Sequence, residues 1–249
     1  MWNRALLKQN AKDALRGRYW RSFLVCLVLA FLGVGSTAGN AAGSGVRRDV
    51  QEYYNAYGFN GLSDRVIGLI SVTMLLVCLL ALAWVFFVVN PLDVGRSRYF
   101  MENRSGATPY ATVWSVFQGS YLNVVKVQAL TALKIMLGSI LIIPGIYWAY
   151  CYTLVPYLLA ENPTLSAGRA MELSKNMMYG DKWNYFVLQT SFIGWALLAV
   201  LTFGIGGFFL QPSLQATYAE FYAAMRAKAF AANLTDPNEL AGFVDRGMC

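Results

Sequence analysis

"GDKWNYF", residues 180–186, opens a run with no charged side chain from Trp183 to Ala219. A stretch of about 18 or more apolar residues with few charges is what a membrane-crossing helix requires, since about 20 helical residues span the hydrocarbon core. This run is long enough to cross, turn at "GIGG" (204–207) and return. Three more charge-free runs extend from Arg21 to Val46, from Ile67 to Pro91 and from Ile135 to Ala160, counting between their ends. The pattern predicts an all-α, polytopic membrane helix bundle.

Composition points the same way. Charged residues make up 13% of the 249, against about 25% in soluble domains. Hydrophobic residues make up 57%. The chain has no histidine, so the commonest general base and metal ligand is missing. Cys26, Cys78, Cys151 and Cys249 form no CxxC pair and read as small packing residues. There is no HExxH, GxSxG or P-loop signature. No cofactor or metal is expected, and no enzyme. The net charge of +7 fits loops facing anionic lipid better than nucleic acid.

Six spans follow, at about 19–37, 66–91, 122–143, 146–160, 184–203 and 208–227. "IIPGIY" places a tight turn at Pro144 and Gly145. The first run reads as a retained helix, because six basic side chains precede it, more than a signal peptide carries. Six spans put fifteen basic residues on one side and only Arg47, Arg48 and Arg65 on the other. By the positive-inside rule both termini are expected in the cytoplasm.

The opening motif recurs. "GRYWRSF" at 17–23 and "GSYLNVV" at 119–125 also begin apolar runs, and about a dozen residues of helical character precede each copy. In the middle copy Tyr110, Val113, Trp114 and Phe117 share one face at helical spacing, with Thr108 as N-cap ahead of Pro109. Each unit reads as a surface helix with its apolar stripe at the lipid boundary, a glycine turn at Gly17, Gly119 or Gly180, interfacial aromatics such as Trp20, Tyr121 and Trp183, and then a hairpin. The second helix of each hairpin holds a kinking proline: Pro91, Pro156 and Pro212. One membrane domain over 1–249 is expected, with repeats at 5–104, 107–163 and 168–230.

"NPLDVGRSRYFMENR", "IIPGIYWAYCYTLVPYLLAENP", "SAGRAMELSKNMMYGDKWNYFVLQTSFIGWALLAVLTFGIGGFFLQP" and "ATYAEFYAAMR" closely resemble the bacterial integral-membrane family termed domain of unknown function 975. The resemblance implies a multi-pass protein of the bacterial cytoplasmic membrane. It brings no activity and no catalytic residues.

Ionisable groups inside a membrane are functional candidates. Lys134 falls midway along the third span, and Glu220 follows Gln211 and Gln215 in the sixth. Gln211, Gln215, Tyr218 and Tyr222 share a face that must meet other helices or water. Glu102-Asn103 and Glu161-Asn162 read as interfacial pairs at helix ends. The expected function is a non-catalytic membrane component that meets the bilayer and its anionic inner surface. The alternatives are a transporter, channel or exporter subunit with a polar path along the last helix, and a lipid-modifying enzyme.

Overall fold

The structure, a computed structural model, describes residues 4–16, 18–31, 64–201 and 205–243. Gly17 and Cys249 lie outside the described residues, as does the loop that follows the first apolar run. The helices are α1 (Arg4–Leu15), α2 (Tyr19–Phe31), α3 (Asp64–Trp84), a π turn (Val85–Val89), α4 (Asn90–Glu102), a 3-10 helix (Tyr110–Gln118), α5 (Tyr121–Ser139), α6 (Ile142–Cys151), α7 (Val155–Glu161), α8 (Ala167–Met177), α9 (Lys182–Thr190), α10 (Ile193–Leu201) and α11 (Ile205–Ala231). The described residues contain no strand.

The three prolines act differently. α3, the π turn and α4 form one long helix, and the Asn90 N–H donates five residues back to the Val85 carbonyl. Pro91 stands in the first turn of α4, where its missing N–H leaves the Phe87 carbonyl without its usual donor. The Tyr121 hydroxyl donates to that carbonyl at 2.5 Å. Pro156 opens α7 after α6 has ended at Cys151, so the expected fourth span is two short helices. Pro212 lies inside an unbroken α11. The expected turn at Pro144 is also displaced. The chain turns at Ile140 and Leu141, and Pro144 occupies the first turn of α6, where no N–H is needed. Gly138 and Gly145 allow the tight α5–α6 approach: a β-carbon at Gly138 would lie 2.5 Å from the Trp148 ring, and one at Gly145 would lie 2.6 Å from Ser139.

The molecule has a packed part and an exposed apolar part. Leu92, Tyr99, Phe100, Leu158, Met177, Phe221 and Tyr222 form a fully buried core among α4, α7, α8 and the second half of α11. Leu7, Ala11 and Leu15 of α1 join it along one helical stripe, and α1 lies on α11. By contrast, every residue from Gly68 to Val85 is exposed. Eleven large apolar side chains of α3, from Leu69 to Trp84, stand about half exposed or more. Fully covering one such side chain is worth about 1.5–3 kcal/mol. Covering the whole surface is therefore worth on the order of 10–20 kcal/mol, as much as the net stability of a typical domain. A helix apolar on all sides needs an apolar surrounding.

Two stretches, Gly68–Glu102 and Lys182–Leu201, are long and apolar enough to cross a membrane, and Tyr19–Leu29 is a shorter apolar helix. The other segments expected as spans are shorter or interrupted among the described residues, or carry more polar side chains.

The residue two places after each glycine position of the recurring motif donates a hydrogen bond to a neighbouring helix. Tyr19 donates to the Phe209 carbonyl at 2.6 Å, Tyr121 to Phe87, and Lys182 to the Tyr147 hydroxyl at 3.3 Å. Phe209 lies three residues before Pro212, where the backbone ladder is interrupted. Helical segments precede all three motif positions, but the middle one is 3-10. Its three-residue period turns Val113 and Val116 inward and leaves Tyr110, Trp114 and Phe117 exposed. The face expected at α-helical spacing is not formed. Pro109, not Thr108, precedes the first turn in extended conformation. Gly180 takes φ +83°, a conformation in which a side chain is strained.

Candidate functional site

Two polar cavities stack along α4, α7 and α11. The inner one has a volume of about 360 Å³ and is lined by Asp93 and Arg96 of α4, Gln128 of α5, Pro156 and Tyr157 of α7, and Gln215 of α11, among others. It opens where the regular backbone is interrupted. The α6–α7 break brings Tyr152 and Thr153 to its wall, and the π turn ends just before Asn90. Interruptions of this kind free backbone polar groups and recur at functional sites. Asp93 and Arg96 form an ion pair one turn apart. The Arg96 Nε is buried and makes no hydrogen bond among the described residues, which costs about 1–3 kcal/mol or more for a charged group.

The outer cavity has a volume of about 940 Å³ and lies one to two turns further along the same helices, at Arg98, Glu102, Ala160, Glu161, Ala223 and Arg226. Its charges are matched. Arg98 Nε meets Glu102 Oε1 at 2.7 Å. Arg104 grips Glu220 with two bonds, at 2.6 and 3.2 Å. Arg226 Nε donates to Glu161 at 2.9 and 3.2 Å. The Glu161 side chain is 0% exposed and also accepts from the Tyr222 hydroxyl at 2.7 Å and the Gly242 N–H at 2.6 Å. Burying a carboxyl group this deep is costly without such partners. Stripping one away from a buried pair typically costs about 3–5 kcal/mol.

Between the cavities stand Tyr157 and Tyr222. Their rings stack at 5.2 Å between centroids and 18° between planes. Tyr157 lines the inner cavity. Tyr222 is fully buried and fixes Glu161 of the outer one.

The structure distributes the sequence candidates unevenly. Gln215 is buried and lines the inner cavity, and it donates to Gln211 at 3.4 Å. Glu220 is buried, in the charged layer with Arg104. Lys134 is exposed on the outer face of α5 beside Leu133 and Leu137, so it does not join a polar interior. Trp20 and Trp183 are exposed, and Gly119 faces open space. Arg104, Arg226, Asp93 and Arg96 carry no site signal in the sequence, and Glu161 reads there only as an interfacial helix end. The paired Glu-Asn sequences at 102–103 and 161–162 were the one available signal, and both glutamates line the outer cavity.

These features define an all-α chain with two helices long and apolar enough to cross a membrane and with charged, cavity-bearing packing beside them. The chain belongs to the family described as Protein of unknown function (DUF975), whose model matches residues 48–229. No curated protein matches the chain, and no solved structure does.

Proposed function

We propose that this chain is a non-enzymatic integral membrane protein, built of three repeated units, that passes a small polar solute between its two cavities through the Tyr157–Tyr222 layer. It sits in the cytoplasmic membrane with its basic surfaces and both termini inside. The observation that carries this reading is the stack of two aromatic rings separating polar cavities on successive turns of the same helices. Every arginine named in the two cavities has a carboxylate partner, so the walls favour a neutral or zwitterionic solute over a simple ion. The unsatisfied Arg96 Nε offers such a solute a donor. The exposed apolar surface of α3 supports the lipid setting.

The test is osmotic swelling of liposomes holding the purified full chain, with glycerol and glycine as probes. Wild type is expected to exceed empty liposomes for at least one probe. Gln215→Leu is expected to lose about tenfold, and Tyr157→Ala, which thins the dividing layer, to gain. Swelling no faster than empty liposomes for both probes overturns the solute reading. Turnover of phospholipid by the pure protein overturns the non-enzymatic one.

A further inference from the structure

A third cavity, of about 630 Å³, lies apart from the polar pair, between α1 and the α10–α11 hairpin. Its volume is that of pockets which bury most of a small ligand. Its two ends differ. A β-carbon at Gly207 would lie 3.9 Å from Ala199, which fixes α10 and α11 as neighbours there. Seven residues back, just before α10 begins, stands Phe192, and six and ten residues forward along α11 stand Ser213 and Thr217. The first end is walled by Trp195, Ala199, Gly206 and Phe209. The second carries Lys8 of α1, whose ammonium sits 4.2 Å from the centre of the Phe192 ring; Lys12, one turn on along α1, lines the same cavity. Neither lysine forms an ion pair among the described residues. Arg4 opens the same short helix and Arg16 follows its last residue. An apolar slot about 10 Å long thus carries two lysines that have no carboxylate partner among the described residues.

We infer that this groove holds one acyl chain of an anionic phospholipid, with the headgroup phosphate on Lys8 and Lys12. The shape and the charge gradient select this occupant. An apolar peptide would leave the two ammonium groups unmatched, and a zwitterionic lipid would bring a choline against them. α1 is then held to the bundle partly through bound lipid, and its attachment responds to the anionic lipid content of the membrane.

The experiment reads Trp195. The full chain is placed in phosphatidylcholine nanodiscs at one copy per disc, and dibrominated phosphatidylglycerol is added in steps. Fluorescence quenching is compared between wild type and Trp195→Phe, so that their difference isolates the groove. That difference should saturate at low mole fraction of phosphatidylglycerol, and brominated phosphatidylcholine at the same mole fraction should not produce it. Each lysine near an anionic surface contributes about 1 kcal/mol. The pair Lys8→Gln and Lys12→Gln should therefore shift the half-point about ten- to thirtyfold, and the pair Lys8→Arg and Lys12→Arg should leave it in place. Should the glutamine pair fail to assemble, Ser213→Leu, which fills the groove and spares the lysines, must abolish the saturable difference. Equal quenching by both brominated lipids overturns the inference. So does the absence of any Trp195-dependent part, as would occur if protein fills the groove.

Discussion

Glu161 and Glu239 show how far single residues are set by partners that sequence spacing hides. Glu161 ends α7 like an ordinary interfacial glutamate, yet its donors stand at 222, 226 and 242. Separations of this size leave no periodic trace, so the carboxylate was legible as a helix end and illegible as the centre of a network. Gln215 was the easier case, because a polar residue on an apolar helix is conspicuous within one element. Glu239 lies in the tail and accepts from Arg169 at 2.7 and 2.9 Å and from Thr235. The Arg169 hydrogen bonds hold its carboxyl below the ordinary value of 4.5. A lowered carboxyl pKa adds stability that is fully present above the unfolded-state value and is lost as pH falls through the folded-state value. Melting temperatures of wild type and Glu239→Gln are therefore expected to differ most near pH 7 and to converge below about pH 4. A gap that persists undiminished at pH 3 contradicts this account.

At the scale of elements, helical class followed from the long apolar runs, and the described parts of those runs are mostly helical, with breaks at 140–141, 152–154 and 191–192. What the pattern could not supply was the type of turn. Tyr110–Gln118 is 3-10, and α4 lies directly against it at Gly95, a contact that joins residues no local rule links. A β-carbon at Gly95 would lie 2.0 Å from the Val113 carbonyl oxygen. Gly95→Ala is expected to cost about 1–3 kcal/mol through overpacking, a fall of roughly 2–12 °C in the Tm of the solubilised chain. Gly168→Ala is the control. Its added methyl meets nothing within 4 Å, so its Tm should hold or rise slightly. Equal losses at both glycines would show that the α4 contact is not what matters. Proline position was equally opaque: Pro91, Pro156 and Pro212 look alike in sequence, and only what precedes each one decides whether it opens a helix or rides inside one.

For the whole molecule, hydropathy announced an apolar solvent but not how the mass is divided. Much of the buried core gathers around α4, α7, α8 and the second half of α11, while α3 offers its full circumference outward. Cys78 lies on that outward surface, whereas Cys26 and Cys151 are buried. A thiol surrounded by lipid is out of reach of a water-soluble alkylating reagent. In liposomes carrying a Cys249→Ser chain, Cys78 is expected to resist a water-soluble maleimide and to react after detergent denaturation. Rapid labelling in intact liposomes would place α3 in water. The pairing of Glu161 with Gly242 has a consequence in time. The two residues are 81 apart in the chain, so at about 5–20 residues per second a ribosome makes the carboxylate roughly 4–16 s before its last partner. Until Gly242 emerges, the Glu161 carboxyl has only the Tyr222 and Arg226 side chains as donors. The order of synthesis thus makes the Gly242 contact the last of these three to close around Glu161.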